Sequence, residues 1–360
     1  MIREFLIDNG PAALAAGGLL IGLAFGAAVH RTNFCTMGAL SDLRTFGDRR
    51  RLDSWLLAIA IAVAGTQALS AFGVADLGKS MYASASLNWA GAILGGLIFG
   101  YGMVFAGGCP SRNVARLGSG DLRSLVVIVV VGLVAYMAIG GILGPARNAL
   151  ETATAVRLPS AQTLPSLLAG TIGWPADRVA LLLGAVVAGL IGLIVAHRAF
   201  LTSPKHVAGG VLVGLAVVAG WALTGLAFDE LADRPVAPIS LTFVRPSGDT
   251  LEWLARYTAL GIPGFGVATL AGAIAGAALS ALLQGRFRLA GFTDTDDTVR
   301  HLMGAAMMGV GGVLAMGCSI GQGVTGLSTL ALGSFLAVPS IAAGAWYGLG
   351  ALERRIEAAA

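Results

Sequence analysis

Apolar residues gather in long stretches that recur from one end of the chain to the other: 12–29, 55–74, 89–106, 124–144, 179–196, 207–227, 262–283, 301–317 and 328–350. Each reaches or approaches the roughly 20 residues an α-helix needs to cross a bilayer. No soluble domain of ordinary size fits between them. The pattern therefore predicts an all-α, polytopic membrane protein of about nine transmembrane helices, with residues 1–360 forming a single transmembrane domain. Two intervening segments, 145–178 and 228–259, carry prolines and mixed charges and read as longer surface loops on one side.

Composition supports this picture. Hydrophobic residues make up 56% of the chain and charged residues only 12%, with a mean hydropathy of +0.82. A water-soluble domain with this balance would have too little polar surface. The first apolar stretch follows an acidic start, Met1 to Asp8, with no basic region before it and no cleavage site followed by a soluble domain, so it reads as a retained helix.

The formal charge of +4 would suggest nucleic acid in a soluble protein. Here the Lys and Arg residues lie between apolar helices, where they set orientation, and no nucleic-acid partner is expected. With helix 1 running inward, the loops 30–54, 107–123, 197–206 and 284–300 and the C-terminal tail hold 15 Lys and Arg, and the opposite loops hold 8. Arg31, Arg44, Arg49, Arg50 and Arg51 crowd the first inner loop. The expected topology has the N-terminus outside and the C-terminus in the cytoplasm.

Fifty-three glycines, with pairs at Gly22/Gly26, Gly96/Gly100, Gly210/Gly214 and Gly272/Gly276, point to close helix packing. They also reveal an internal repeat. Gly100, Gly102, Val104, Ala106 and Gly108 precede Cys109 at the places where Gly309, Gly311, Val313, Ala315 and Gly317 precede Cys318. Cys35 joins more weakly through Gly22, Phe25 and Gly26, and a degenerate fourth copy runs from Gly210 and Gly214 to Leu223. The pseudo-repeats span about 12–144 and 179–350, linked by the outer loop 145–178. Their cysteine-bearing helices enter from opposite sides, an inverted arrangement that transporters use to place a substrate site at the midplane.

Candidate chemistry gathers at the cysteines. Cys35, Cys109 and Cys318 have neither disulfide nor zinc-ligand spacing and read as free thiols, with no metal or cofactor motif beside them. The helical pattern breaks at Gly107-Gly-Cys-Pro-Ser-Arg-Asn113 and at Met316-Gly-Cys-Ser-Ile-Gly-Gln-Gly323, and irregular backbone at membrane depth must line a cavity or be buried in protein. Pro110 suits the first turn of a new helix, placing Cys109 at its N-cap, where free N–H groups attract anions. The same reading applies to Cys318 with Ser319 and to Cys35 with Thr36. A thiol is soft and polarizable, matching an anion that carries sulfur. Gly108, Gly317, Arg112, Asn113 and Gln322 are the candidate supports. Arg112, Asn113, Arg116, Arg31 and Asn33 could form a basic funnel on the inner side or act as interfacial anchors. Gln322 could present its amide to an anion or brace the broken backbone. His30, His197, His206 and His301 fall near inner helix ends and are assigned no ligand role.

At these motifs the sequence resembles the YeeE/YedE family of bacterial inner-membrane sulfur-compound transporters. Gly100 to Cys109 with Arg116 to Leu125, and Arg300 to Gly304 with Gly309 to Gly323, carry the resemblance most specifically, and Arg31-Thr-Asn-Phe-Cys35 adds a shorter piece. The run Cys109-Pro-Ser-Arg-Asn113 departs from the Cys-Thr-Ser-Gly type of many relatives. The resemblance implies import of thiosulfate or a related sulfur anion along a narrow path, with Cys35, Cys109 and Cys318 meeting its terminal sulfur in turn. It also implies an inner-membrane location, and the product would pass to a cytoplasmic sulfur-carrier or sulfurtransferase protein. Other readings of the same residues are a transporter of a selenium compound, a membrane thiol enzyme such as a sulfur transferase, a three-thiol Cu(I) site, and cysteines that pack only as small hydrophobes.

Overall fold

The computed structural model describes residues 6–7, 9–231 and 236–359. Its principal helices, in chain order, are α1 (Gly10–Thr32), α2 (Thr36–Phe46), α3 (Arg50–Ala71), α4 (Trp89–Phe105), α5 (Pro110–Gly118), α6 (Leu122–Ile139) and α7 (Gly144–Thr154). They continue with α8 (Leu164–Ile172), α9 (Ala176–Val195), α10 (Pro204–Leu226), α11 (Val244–Ala255), α12 (Phe265–Leu283), α13 (Thr295–Leu314) and α14 (Leu332–Ala359). Among the described residues, eight helical stretches, two of which join α1 with α2 and α4 with α5, are long and apolar enough to cross a membrane. A ninth, α13, is 20 residues long and carries Asp296, Asp297 and Arg300 near its start, polar residues that suit a helix end at a membrane surface. The chain is thus a multi-pass, all-α membrane protein.

Two segments correct the sequence reading. The expected outer loop 145–178 contains α7, α8 and a short strand β2 (Val156–Arg157) that pairs antiparallel with β1 (Ser86–Leu87). The expected surface loop 228–259 contains α11, whose Val244, Pro246, Ser247 and Gly248 are buried. Proline misled in both places: Pro145, Pro165 and Pro246 lie in first turns, where the missing N–H costs nothing and the fixed φ starts a helix.

Small residues let the long helices touch backbone to backbone. A side-chain carbon on Gly22 or Gly26 of α1 would collide with the carbonyls of Thr269 and Ala273 on α12, and one on Gly272 or Gly276 with those of Leu19 and Leu23. The α4–α14 contact repeats the device at Gly100 against Ile341 and Gly344 against Leu97. Where α4 crosses α13, Gly95 and Gly102 meet Gly311 and Gly304.

The pairings are reciprocal. As α1 packs on α12, α10 packs on α3; as α4 packs on α14, α13 packs on α6; and as α2 packs on α14, α11 packs on α6. Helix α9 packs on α3 and stands outside this set, as do α7 and α8.

Candidate functional site

The same local event precedes each cysteine. Two residues earlier the chain turns left-handed, at Asn33 (φ 60°), Gly107 (φ 71°) and Met316 (φ 57°), and the long helix ends. The amides of Gly108 and Gly317 reach back to Met103 O (2.9 Å) and Gly312 O (2.8 Å), closing the helix ends α4 and α13. The chain then re-enters a helix with the cysteine at its N-cap: Cys35 before α2 and Cys109 before α5. After Cys318 helical turns resume at Ser319 and widen into π turns over Gly321–Gly326. Helix α4, 17 residues long, extends about 25 Å at 1.5 Å per residue. That is less than the roughly 30 Å of a hydrocarbon core, so the Cys109 break lies at membrane depth.

All three cysteines are free and buried. The Cys35 Sγ accepts from the Gly38 amide (3.4 Å), and the Cys318 Sγ from the Gly321 amide (3.3 Å). The amides of Phe243 and Ile320 also face Cys318, and Thr242 Oγ1 lies 3.9 Å from its sulfur. Phe243 is the N-cap of α11, so this thiol sits where two helix N-termini meet. Cys109 Sγ lies 3.1 Å from Ser111 Oγ. Cys35 is within electrostatic reach of Cys109 and of the Arg112 guanidinium, and Cys318 within reach of Cys109. Among the described residues, no three His, Cys, Asp or Glu side chains form a group able to hold a metal ion.

The candidate amides are committed to the backbone. Asn113 Nδ2 donates to Gly108 O (2.8 Å) and Cys109 O (3.2 Å), while its Oδ1 accepts from Ser124 Oγ (2.9 Å). Gln322 Nε2 donates to Ala315 O (2.5 Å), while its Oε1 accepts from Ser334 Oγ (2.6 Å). Each amide sits four residues past a cysteine and ties the broken helix end to the next long helix. Gly108 and Gly317 lie within the same breaks; a side-chain carbon on Gly108 would come 3.0 Å from Arg112, and one on Gly317 would come 3.2 Å from Gln322. Arg116 donates to Gly107 O (3.0 Å) and pairs with Asp121 (2.5 Å), so it too braces the break. His301 is buried beside Gly107 and bonds Asp297 O (2.7 Å); its place in the sequence gave no sign of this contact.

Two cavities with charged side chains in their walls adjoin the cysteine region. One, of about 260 Å³, is lined by His30, Asn33, Arg112, Arg116, Lys205 and Arg286 together with Ala115 and Ser119. No carboxylate lines it, and Arg112, Lys205 and Arg286 have no ion-pair partner among the described residues. The sequence reading found Arg112, Arg116 and Asn33 of this group but not Lys205 and Arg286, which only the fold brings alongside. The other cavity, of about 430 Å³, is lined by Thr242, Arg245, Asp249 and Thr269 among others, and Thr242 connects it to Cys318. Between the arms of Cys35 and Cys318, Thr36 Oγ1, Trp55 Nε1 and Ser319 Oγ are buried without a hydrogen-bond partner among the described residues.

The chain is similar in sequence to known transporters. The chain is 25% identical over 354 residues to the thiosulfate transporter TsuA of Escherichia coli, covering 93% of each chain. It is 27% identical over 356 residues to the TsuA of Spirochaeta thermophila, covering 91% of this chain and 96% of that one. A 107-residue segment is 30% identical to the probable transporter YedE of Salmonella typhimurium, covering 29% of this chain and 24% of that one. The family model described as sulphur transport matches residues 31–347, and the chain therefore belongs to that family.

Proposed function

We propose that this protein imports thiosulfate, or a closely related sulfur-containing anion, across a bacterial inner membrane through a path lined by Cys318, Cys109 and Cys35. The observation that carries the reading is the threefold recurrence of one device: a thiol at the N-cap of a resumed helix, presented by a left-handed break, with all three thiols in one electrostatic neighbourhood. Backbone amides at Cys35 and Cys318 favour an anion, and the soft sulfur atoms favour its sulfane end. The unpartnered donors Thr36, Trp55 and Ser319 suit its oxygens.

The anion would enter from the cavity at Thr242 and leave through the cationic cavity at Arg112, Lys205 and Arg286. The cationic mouth belongs in the cytoplasm by the bias of Lys and Arg, which puts the N-terminus outside. A cytoplasmic sulfur-carrier or sulfurtransferase would receive the product there.

The reciprocal pairings support an inverted repeat of residues 10–139 and 204–359. Helix α9 between them supplies the extra crossing that reverses the second unit.

The test is growth of a sulfur-auxotrophic bacterium on limiting thiosulfate with the intact chain and with Cys109→Ala and Cys318→Ala, checking membrane expression in parallel. The intact chain should restore growth and the variants, equally expressed, should not. Failure of the well-expressed intact chain would sink the reading.

A further inference from the structure

Half-helix α11 presents its N-terminus to Cys318 and is fastened to α6 at its other end. There Tyr136 Oη lies 2.6 Å from Asp249 Oδ1 and 2.9 Å from Glu252 Oε2. A phenol has one hydrogen to give. With both carboxylates ionised, one of these contacts is a hydrogen bond and the other sets lone pairs face to face. One added proton makes both contacts hydrogen bonds, because the protonated carboxyl donates to the phenol oxygen while the phenol donates to the other carboxylate.

The cluster is placed to exchange that proton. Asp249 lines the wall of the outer cavity, and its side chain remains 29% exposed. Burial, with Glu252 nearby, pushes its carboxyl above the ordinary range against the pull of Tyr136 and Arg245. The charged groups facing it are Arg245 (3.6 Å) and Glu252 on α11, with Arg256 paired to Glu252 (2.6 Å). Helix α6 contributes Tyr136, while α12 has no charged residue and α13 meets α11 through Gly312 and Val244. The seat is close-fitting: a side-chain carbon on Gly248 would strike the Tyr136 ring, and one on Gly132 would lie 2.7 Å from the Ser247 backbone.

The opposite half of the molecule supplies a contrast. Half-helix α2, which carries Cys35, is fastened to α14 by Arg44, which donates to both Glu353 oxygens (3.2 and 2.9 Å) and to Trp346 O (3.0 Å). Arg44 and Glu252 occupy the same position counted from the start of their half-helices, as do Trp346 and Tyr136 in α14 and α6. An arginine–carboxylate pair holds through the neutral pH range; a shared carboxyl proton does not.

We propose that one proton, taken up by Asp249 from the outer cavity and shared with Tyr136 and Glu252, latches α11 to α6, holds its N-terminus against Cys318, and makes transport depend on pH at that face. The latch is closed at low pH and is lost as pH rises through the folded-state titration of the carboxyl. The dependence on uptake rests on the transport reading above; the latch itself does not.

The experiment uses the full chain in proteoliposomes and labelled thiosulfate, a dianion throughout the range tested. Raising the outer pH from about 5.5 to about 8.5 should lower uptake about fivefold, the equivalent of one net hydrogen bond of about 1 kcal/mol. Asp249→Asn, whose amide donates permanently, should hold uptake high and flat. Tyr136→Phe, which keeps both carboxylates, should give low and flat uptake. A flat wild-type profile, or a wild-type slope retained in Tyr136→Phe, overturns the proposal, since the latter would be a simple charge effect. If no thiosulfate enters at any pH, the transport reading fails and amide hydrogen exchange over residues 244–255 decides. Exchange that is faster in the wild type than in Asp249→Asn at high pH, and equal at low pH, supports the latch; equal exchange throughout overturns it.

Discussion

At the scale of single residues, the candidate site separates into three buried thiols and groups that brace the backbone around them. Asn113 and Gln322 belong to the second kind, because every polar atom of their amides is engaged within the broken backbone or with Ser124 and Ser334. Replacing Gln322 by leucine strands the Ala315 carbonyl and the Ser334 hydroxyl in a buried place, at a cost of about 1–3 kcal/mol. Gln322→Leu should therefore lower both the melting temperature and uptake, whereas Cys318→Ala should lower uptake alone; thermal melting of the purified protein separates them. The left-handed residues make a second contrast. An alanine at Gly107 (φ 71°) meets a left-handed penalty of roughly 1–2 kcal/mol. It also crowds Arg116 (3.0 Å) and His301 (3.3 Å). Gly107→Ala should melt several degrees below Gly189→Ala in α9, where a side-chain carbon has open space.

At the scale of elements, the glycine seams decide how near the cysteine-bearing breaks come to one another. Gly26 of α1 and Gly304 of α13 have no room for a side chain, while Gly192 of α9 has nothing within 4 Å. Gly192→Ala should be neutral or stabilising by up to about 1 kcal/mol, the usual gain on removing glycine from a helix interior. Gly26→Ala must push α12 away and should reduce the yield of folded protein, which size-exclusion chromatography in detergent would measure. Much of this was legible in the sequence. The spans stood out because a bilayer demands long apolar runs, and the breaks at Cys109 and Cys318 because their glycine frames repeat. Half-helix α11 was hidden because its core face is short and mixed with Arg245, Asp249, Glu252 and Arg256. Its burial follows from docking on α6, α12 and α13, which no local pattern records. The fourth copy of the glycine frame likewise gives no break at Leu223: α10 continues to Leu226, and the matching half-helix begins only at Val244.

At the scale of the whole molecule, the two cavities differ in charge, and that difference sets a direction for the field an anion meets. The cavity beside Asn33 gathers Arg112, Arg116, Lys205 and Arg286 with no lining carboxylate, whereas the one beside Thr242 balances Arg245 with Asp249. Lys205, in the first turn of α10, and Arg286, just past the end of α12, lie far apart in sequence and brace nothing among the described residues, so removing their charge should leave folding intact. It should weaken the attraction of a dianion to the cationic mouth. Lys205→Gln combined with Arg286→Gln should slow thiosulfate flux several-fold, and the deficit should shrink as ionic strength rises, because salt screens the same field in the wild type. A deficit independent of salt would mean the two side chains act by contact rather than by field. The same positions report orientation. In intact cells a membrane-impermeant maleimide should reach a cysteine placed at Arg245 but not one placed at Lys205, and the reverse pattern in inverted vesicles would complete the assignment of the cationic mouth to the cytoplasm.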